Sequence, residues 1–188
     1  MKVREIMSEP VLTCRSTDSL AQAAQLMWEH DCGAVPVLDG DDRLVGMITD
    51  RDICMACYTQ GKPLWEMLVV LAMAKKVVSC RADDGIGVVE QLMREHQIRR
   101  LPVVDEDGEL VGLLSLSDLA RSAGTTGREY GLAGIVTHTL ATICRPNNVE
   151  VHTSRMGDGR LSTSAPSNLA ERFGMTAPNP FVVHRAEH

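Results

Sequence analysis

Apolar and polar residues follow one another along the chain in a pattern that occurs twice. Each copy opens with a short apolar run, residues 11–14 or 77–80, that predicts a β-strand. Polar residues at 16–18 and 83–84 then predict the start of a helix. The apolar residues that follow recur every three or four positions, which is the spacing of an amphipathic helix. This stripe comprises Leu20, Ala23, Ala24 and Met27 in the first copy and Ile86, Val89 and Met93 in the second.

A β-hairpin and a second helix complete each copy. Two short apolar runs flank a polar turn, which is typical of a hairpin. The second helix is predicted from Thr49 through Ile53 and, in the other copy, from Ser115 through Leu119. Each unit therefore reads strand, helix, strand, strand, helix, which indicates a mixed α/β (α+β) fold. The hairpin strands are predicted at residues 35–38 and 44–48 in the first copy and at 101–104 and 110–114 in the second.

The two copies align at a constant offset of 66 residues without a gap. Between Met7 and Ile53, 18 of 47 positions are identical to their partners, and many others exchange one aliphatic residue for another. This predicts two similar halves related by a pseudo-twofold axis. The predicted organisation is a first repeat with connector at 1–62, a second repeat with its leading segment at 63–121, and a tail of unknown role at 122–188.

The regions outside the repeats carry weaker signals. Turn residues precede Pro63, which is well placed to open a short helix over residues 64–74. The tail is rich in Gly, Ser, Pro and Asn, and only residues 132–143 and 181–183 are apolar enough to predict a short element.

Composition narrows the class of protein. The net charge is −6, so the surface is expected to repel a phosphate backbone, and no nucleic-acid partner is predicted. No apolar stretch approaches the roughly 20 residues that a membrane span needs, and the first residues lack the apolar run of a signal peptide. We therefore expect a cytoplasmic protein without membrane association.

Six cysteines lie singly in apolar or strand-like runs, as thiols do in a reducing compartment. Cys54 and Cys57 have the spacing of a redox pair or metal half-site, but no second pair completes a zinc tetrahedron. The same spacing is equally consistent with two ordinary thiols that lie one turn apart on a helix. No metal or cofactor is predicted.

The residues that close each hairpin share the form Gly, two apolar residues, Thr or Ser, two variable residues, Asp. They are residues 46–52 and 112–118. The hydroxyl residue is predicted to be a helix N-cap, where free N–H groups and the helix dipole favour an anion. The aspartate three residues later is an acceptor suited to the hydroxyls of a ribose. The same pattern is also an ordinary capping box, and both interpretations remain open for either copy alone.

As a set, the motifs resemble a CBS-domain pair, a small regulatory module. The resemblance extends from Val3 to about Ala120. It rests on the two hairpin closures and on two further pairs of motifs. These are Val3-x-x-Ile6-Met7 with Val69-x-x-Ala72-Met73, and Val35-Pro36-Val37 with Leu101-Pro102-Val103.

The resemblance implies two clefts that bind adenosine-containing ligands such as AMP, ADP, ATP or S-adenosylmethionine. Asp52 and Asp118 would hold ribose, and Thr49 and Ser115, with Ser117 nearby, would hold phosphates. Each adenine would lie against the segment after Met7 or Met73 of the opposite repeat. The Asp118 cleft would then include Val11 and Cys32, and the Asp52 cleft would include Val77 and Ile98.

The clefts are expected to differ in their cations. Arg100 matches a position from which this family often reaches phosphate, and its counterpart in the first repeat is Ala34. Arg51 would serve the other cleft, beside Thr49. Both arginines could equally be solvated surface charges.

No nucleophile with a base and no paired-carboxylate cleft indicates an enzyme. The predicted function is a ligand sensor that forms a homodimer through its helical faces and signals to an unidentified regulated protein. The alternatives are an interaction module without ligand and a thiol redox module that uses Cys54 and Cys57.

Overall fold

The structure, a computed structural model, describes residues 1–125, 130–144, 153–155 and 161–163. Each repeat has the predicted order of strand, helix, strand, strand, helix, and the predicted mixed α/β fold is confirmed. The first repeat comprises β1 (Cys14–Arg15), α1 (Leu20–Glu29), β2 (Ala34–Leu38), β3 (Leu44–Thr49) and α2 (Asp50–Gln60). The second comprises β4 (Cys80–Arg81), α3 (Ile86–His96), β5 (Arg100–Val104), β6 (Leu110–Ser115) and α4 (Leu116–Thr125).

Both repeats form a three-stranded sheet with the same topology. The first strand pairs with the second in parallel, and the second pairs with the third as an antiparallel hairpin. The register is equivalent in the two sheets, because Val37 faces Gly46 where Val103 faces Gly112. The 66-residue repeat is therefore a repeat of three-dimensional structure as well as of sequence.

The first helix of each repeat begins later than the polar residues predict. Asp18 and Asp84 do not start a helix, because each carboxylate accepts the backbone N–H three residues earlier, at 2.7 and 2.8 Å respectively, and so closes a turn. The N-cap of α1 is Ser19, which forms a capping box with Gln22. The N-cap of α3 is Gly85, without a side-chain cap.

The prediction of a helix over residues 64–74 is wrong. The segment contains two separate 3₁₀ turns, Leu64–Glu66 and Val69–Leu71. Local bonds close each turn, but other backbone groups of the segment bond to the first repeat: the Leu20 N–H donates to the Met67 carbonyl at 2.8 Å, and the Val69 N–H donates to the Asp18 carbonyl at 2.8 Å. Long-range pairing therefore replaces the local ladder that a continuous helix would need.

The segment that leads into each repeat completes the core of the other. Met67, Val69 and Ala72 precede the second repeat but are buried among the residues of α1, β2 and β3. Val3 precedes the first repeat but is buried beside α3 and β5, and its N–H donates to the Asp84 carbonyl at 3.0 Å. The two halves are consequently reciprocal, as the predicted pseudo-twofold relation requires.

A further helix, α5 (Tyr130–Ile143), includes the predicted element at residues 132–143 and packs against α3 and α4. One compact unit spans Met1–Arg145 and so includes residues beyond 121. The boundary of the second repeat at 121 remains a prediction. The second unit, Pro146–His188, has a short hairpin formed by β7 (Thr153–Arg155) and β8 (Leu161–Thr163). The element predicted at 181–183 lies outside the described residues. Among the described helices, none has the length and apolar character that crossing a membrane requires.

Candidate functional site

The two hairpin closures form capping boxes with nearly the same geometry. In the first, Thr49 Oγ1 donates to Asp52 Oδ2 at 2.7 Å, and the Asp52 N–H donates back to Thr49 Oγ1 at 3.2 Å. In the second, the corresponding distances between Ser115 and Asp118 are 2.6 and 3.3 Å. Each aspartate therefore uses Oδ2 to fix the start of its helix, as the capping interpretation predicts.

The glycine of each motif makes room for a methionine of the opposite leading segment. A Cβ at Gly46 would lie 2.5 Å from Sδ of Met73, and a Cβ at Gly112 would lie 2.4 Å from Sδ of Met7. A Cβ at either position would force the methionine to shift, so glycine at this position favours the packing between the repeats. The glycines and the methionines are both part of the motifs found in the sequence, but their contact was not predicted from it.

Backbone bridges then bring each leading segment beside the opposite closure. Ser8 and Leu113 exchange backbone hydrogen bonds of 2.8 and 3.1 Å, two residues before Ser115. Ala74 and Met47 exchange bonds of 2.8 and 3.1 Å, two residues before Thr49. The residues after Met7 and Met73 are thus adjacent to the strands that end in the capping boxes, which is the cross-pairing that a bridging ligand would need.

The helix starts differ in how their N–H groups are used. At α2, the N–H of Asp50 donates to the Gly33 carbonyl, the N–H of Arg51 donates to Asp50 Oδ1 at 2.7 Å, and the N–H of Asp52 bonds to Thr49. All three N–H groups are thus occupied, and one of them is held by a carboxylate. The role of Asp50 was not predicted from the sequence, although Asp50 aligns with the apolar Leu116 of the second repeat.

At α4, the N–H of Leu116 donates to the Arg99 carbonyl at 2.9 Å, and the N–H of Asp118 bonds to Ser115. The N–H of Ser117 has no hydrogen-bond partner within the described residues. A helix start with an open N–H and no adjacent carboxylate is a favourable position for an anion.

The two aspartates also differ in burial and in the use of Oδ1. Asp118 is only 7% exposed, and its Oδ1 forms an ion pair with Arg121. Asp52 is half-buried, and its Oδ1 has no partner in the part of the chain that the structure describes. Position 55, the counterpart of Arg121, is Met55. One carboxylate oxygen is therefore open in the first closure and shared with a cation in the second.

The structure places Arg100 near the first closure. A Cβ at Gly33 would lie 3.3 Å from Nη2 of Arg100 and 3.2 Å from Oδ2 of Asp50. Arg100 therefore lies close to the start of α2, on which Arg51 also stands. The Arg100 side chain thus extends from β5 toward the other repeat, and the assignment of the two arginines to separate clefts stays a prediction.

The four apolar residues assigned to the clefts are half-buried, as expected of a cleft wall: Val11, Cys32, Val77 and Ile98. Val11 and Val77 each lie three residues beyond a bridging residue, Ser8 or Ala74. Cys32 lines a groove on the helical side of its own repeat, beside Asp50 and Ile53. The assignment of all four residues to the clefts remains a prediction.

The thiols fall into two groups. Cys54 and Cys57 are exposed on α2, and Cys57 Sγ contacts the Lys62 carbonyl at 3.9 Å. Burial raises the pKa of Cys14 to about 11 and that of Cys80 to about 12, so both remain protonated thiols at neutral pH. Within the described residues, no three His, Cys, Asp or Glu side chains are grouped as metal ligands.

Known proteins share this arrangement of two repeats. The family model described as CBS domain matches residues 3–58 and 69–124. The CBS domain-containing protein YhcV of Bacillus subtilis is 39% identical over 118 residues, which cover 63% of this chain and 82% of that protein.

Two solved structures are also similar. The CBS domain pair of protein MJ0100, in complex with 5-methylthioadenosine and S-adenosyl-L-methionine, is 29% identical with a TM-score of 0.61, and the match covers 69% of this chain and 98% of the other. CBSX2 in complex with AMP is 26% identical with a TM-score of 0.59, and the match covers 68% and 98% respectively. With both repeats matched by the family model and the exchanged segments in place, the chain belongs to the CBS domain family as a tandem CBS-domain pair.

Proposed function

We propose that this protein is a regulatory module that binds an adenosine-containing ligand in the clefts between its repeats. The reciprocal backbone bridges are the observation that carries this proposal. They hold the segment after Met7 against β6 and the segment after Met73 against β3, beside the two capping boxes. A ligand that contacts a segment and the adjacent closure therefore contacts both repeats at once.

The residues around each closure suit the parts of such a ligand. Ribose hydroxyls would donate to Asp52 or Asp118, and the adenine would pack on the half-buried Val77 and Ile98 or on Val11 and Cys32. Phosphate would accept a hydrogen bond from the hydroxyl of Thr49 or Ser115, which would then no longer donate to its aspartate. The similar pairs that contain AMP or S-adenosyl-L-methionine support this ligand class.

The output of the module would be a change in the arrangement of a homodimer, which an unidentified partner protein reads. A ligand that bridges two repeats can shift this arrangement only if it binds one form more tightly than the other. The chain would act without catalysis of its own, because the residues around the closures serve as hydrogen-bond acceptors, donors and apolar walls.

The test is the melting temperature with and without AMP, ADP, ATP or S-adenosylmethionine at millimolar concentration. A ligand that binds only the folded state stabilises it by about 2.7 kcal/mol at a hundredfold excess over Kd. We expect at least one member of the panel to raise the melting temperature, and uridine at the same concentration to leave it unchanged.

A second candidate function is an interaction module with no ligand. It is favoured by the capping boxes themselves, in which both aspartates already accept bonds from the backbone and hydroxyl of the cap residue. An unchanged melting temperature for every member of the panel would select this function. The third alternative, redox chemistry at Cys54 and Cys57, would require a Cys54→Ser, Cys57→Ser variant to lose its function.

A further inference from the structure

A groove of about 370 Å³ lies between α1 and α2 of the first repeat, and Asp50 at the start of α2 is among its lining residues. Its volume is within the range of pockets that accept a small organic group. The lining is apolar except for the carboxylates of Asp31 and Asp50. The lining residues are Ala24, Met27, Trp28, Asp31, Cys32, Gly33, Asp50 and Ile53.

The equivalent surface of the second repeat is covered by α5. Adding 66 to each lining residue gives Glu90, Met93, Arg94, Gln97, Ile98, Arg99, Leu116 and Leu119. Several of these residues contact α5 or the residue after it. Arg94 Nη1 lies 3.0 Å from His138 Nδ1, Arg99 Nη2 lies 3.9 Å from Cys144 Sγ, and Ile143 is buried in the same core as Met93 and Leu119.

The two surfaces differ accordingly in exposure. Trp28 is 87% exposed, whereas its counterpart Arg94 is half-buried. Asp50 is exposed, whereas its counterpart Leu116 is half-buried. The same fold thus presents a helical face that is covered in one repeat and open in the other.

We propose that the open face, defined by α1, α2 and the groove, binds the same face of a second copy of this chain, while α5 covers the second repeat in place of a partner. This inference rests on the homodimer of the proposed function and specifies its interface. It predicts that the dimer pairs through its two first repeats alone, and that the helical faces of the second repeats take no part.

A second copy is favoured because the face is self-complementary. A twofold interface places the same patch on both partners, so a projection and a cavity in one patch can fill each other. Trp28 projects at the rim of the groove that it lines, and tryptophan is enriched among residues that anchor interfaces. A twofold axis between the copies would place each indole in the groove of the other.

A second copy's α5 fits this groove less well. On the second repeat, Arg94 contacts His138 of α5 and Arg99 contacts Cys144 directly after it, and the equivalent positions in the groove are Trp28 and Gly33, which have no guanidinium group to make these contacts. A helix that moved to the groove would also leave its own core partners, Met93 and Leu119.

The experiment compares the wild-type chain with Trp28→Arg, which introduces the residue that the second repeat has at this position. Sedimentation velocity over a dilution series measures the dimer Kd. We expect Trp28→Arg to weaken the dimer by at least about 30-fold, because an anchoring tryptophan contributes about 2 kcal/mol or more. The control is Val88→Arg, an exposed apolar residue on α3 of the second repeat, which should leave the Kd within about twofold.

A second measurement uses the fact that the chain has only two tryptophans. In a Trp65→Phe variant, the emission of Trp28 should shift to shorter wavelength as the concentration rises through the dimer Kd, because the indole leaves water. A monomeric wild-type chain at 100 µM, equal weakening by both arginine variants, or emission independent of concentration would each overturn the inference. Trp28→Arg should keep the nucleotide-dependent melting temperature, so loss of the interface and loss of ligand binding are distinguishable.

Discussion

The closures of the two repeats share a backbone and differ in charge. Both have a capping box with equivalent hydrogen bonds of similar length. In both, the leading segment of the other repeat lies beside the closure. Around the first stand Asp50, Arg51 and Arg100, with every early N–H of α2 occupied. Around the second stand Leu116, the open N–H of Ser117, and the Asp118–Arg121 ion pair.

This difference shows which positions the fold constrains and which it leaves to the ligand. Both repeats have a glycine because it packs against a methionine. Both have a hydroxyl residue and an aspartate because these two residues cap a helix. The two positions between cap and aspartate bear no such constraint, and there the repeats diverge. We therefore expect the second cleft, which has no carboxylate beside the N–H of Ser117, to prefer phosphorylated ligands. The first, where the carboxylate of Asp50 accompanies Arg51 and Arg100, is expected to tolerate a cationic ligand such as S-adenosylmethionine as well.

The largest expected effect comes from removing each aspartate separately. Asp118→Ala should weaken AMP binding at the second cleft, and Asp52→Ala should weaken S-adenosylmethionine binding at the first. Hydrogen bonds to a charged group contribute about 1.5 to 3 kcal/mol, so each affinity should fall by about 10- to 150-fold. Calorimetric titration of the two variants with both ligands measures this. Equal losses for both ligands in each variant would remove the distinction between the clefts.

The next largest effect is expected at the glycine of each closure, which packs against a methionine in both repeats. Gly46→Ala and Gly112→Ala should each lower the free energy of unfolding by about 1 to 3 kcal/mol, because the new methyl group overlaps Met73 or Met7. Gly46→Ala should cost more, since its Cβ would also lie 3.2 Å from the Ala74 carbonyl, a backbone atom fixed by the bridge to Met47. Urea denaturation checks this, with Gly40→Ala as the control because its Cβ would contact nothing within 4 Å.

A smaller effect is expected from Asp50→Asn. The change removes the carboxylate charge at the start of α2 and keeps an acceptor for the Arg51 N–H. Two charges at 4 Å in water interact by about 1 kcal/mol, so AMP affinity at the first cleft should rise by about fivefold. The Asp118→Ala background isolates this cleft. Asp107→Asn, an exposed aspartate in the second hairpin turn, is the control for the change in net charge.

The smallest effect is expected from Arg121→Met, which gives the second closure the residue of the first. The Arg121 side chain is 73% exposed, and exposed ion pairs contribute about 1 kcal/mol at most. The free energy of unfolding should fall by less than that amount, while AMP affinity at the second cleft should rise slightly as Asp118 Oδ1 becomes available. Measurement in the Asp52→Ala background reads the second cleft alone, and a tenfold loss of affinity would instead make Arg121 a ligand contact.

Much of the fold could be predicted from sequence because the signals are local and duplicated. The helical stripes at Leu20 and Ile86 and the polar hairpin turns each determine an element, and the second copy confirms the first. The helix predicted over residues 64–74 was wrong because its backbone partners, Asp18 and Ser16, are distant in the chain. Periodicity reports only on neighbours along the sequence.

The candidate site was predicted less completely. Thr49, Asp52, Ser115 and Asp118 could be identified because a repeated motif contains them. The position of Arg100 could not, since a long side chain on β5 can reach either repeat, and only the packing of the halves decides that its guanidinium lies beside Gly33. The open N–H of Ser117 is likewise a property of tertiary structure.

The central claim is that both closures are ligand sites, and the most direct test is calorimetric titration of the wild-type chain and the double variant Asp52→Ala, Asp118→Ala. AMP and S-adenosylmethionine are titrated separately, and circular dichroism confirms that the variant is folded. We predict saturable binding to the wild-type chain and none to the double variant. Identical binding to both proteins, or no binding of either ligand to the wild-type chain, would contradict the assignment and leave the aspartates as helix caps alone.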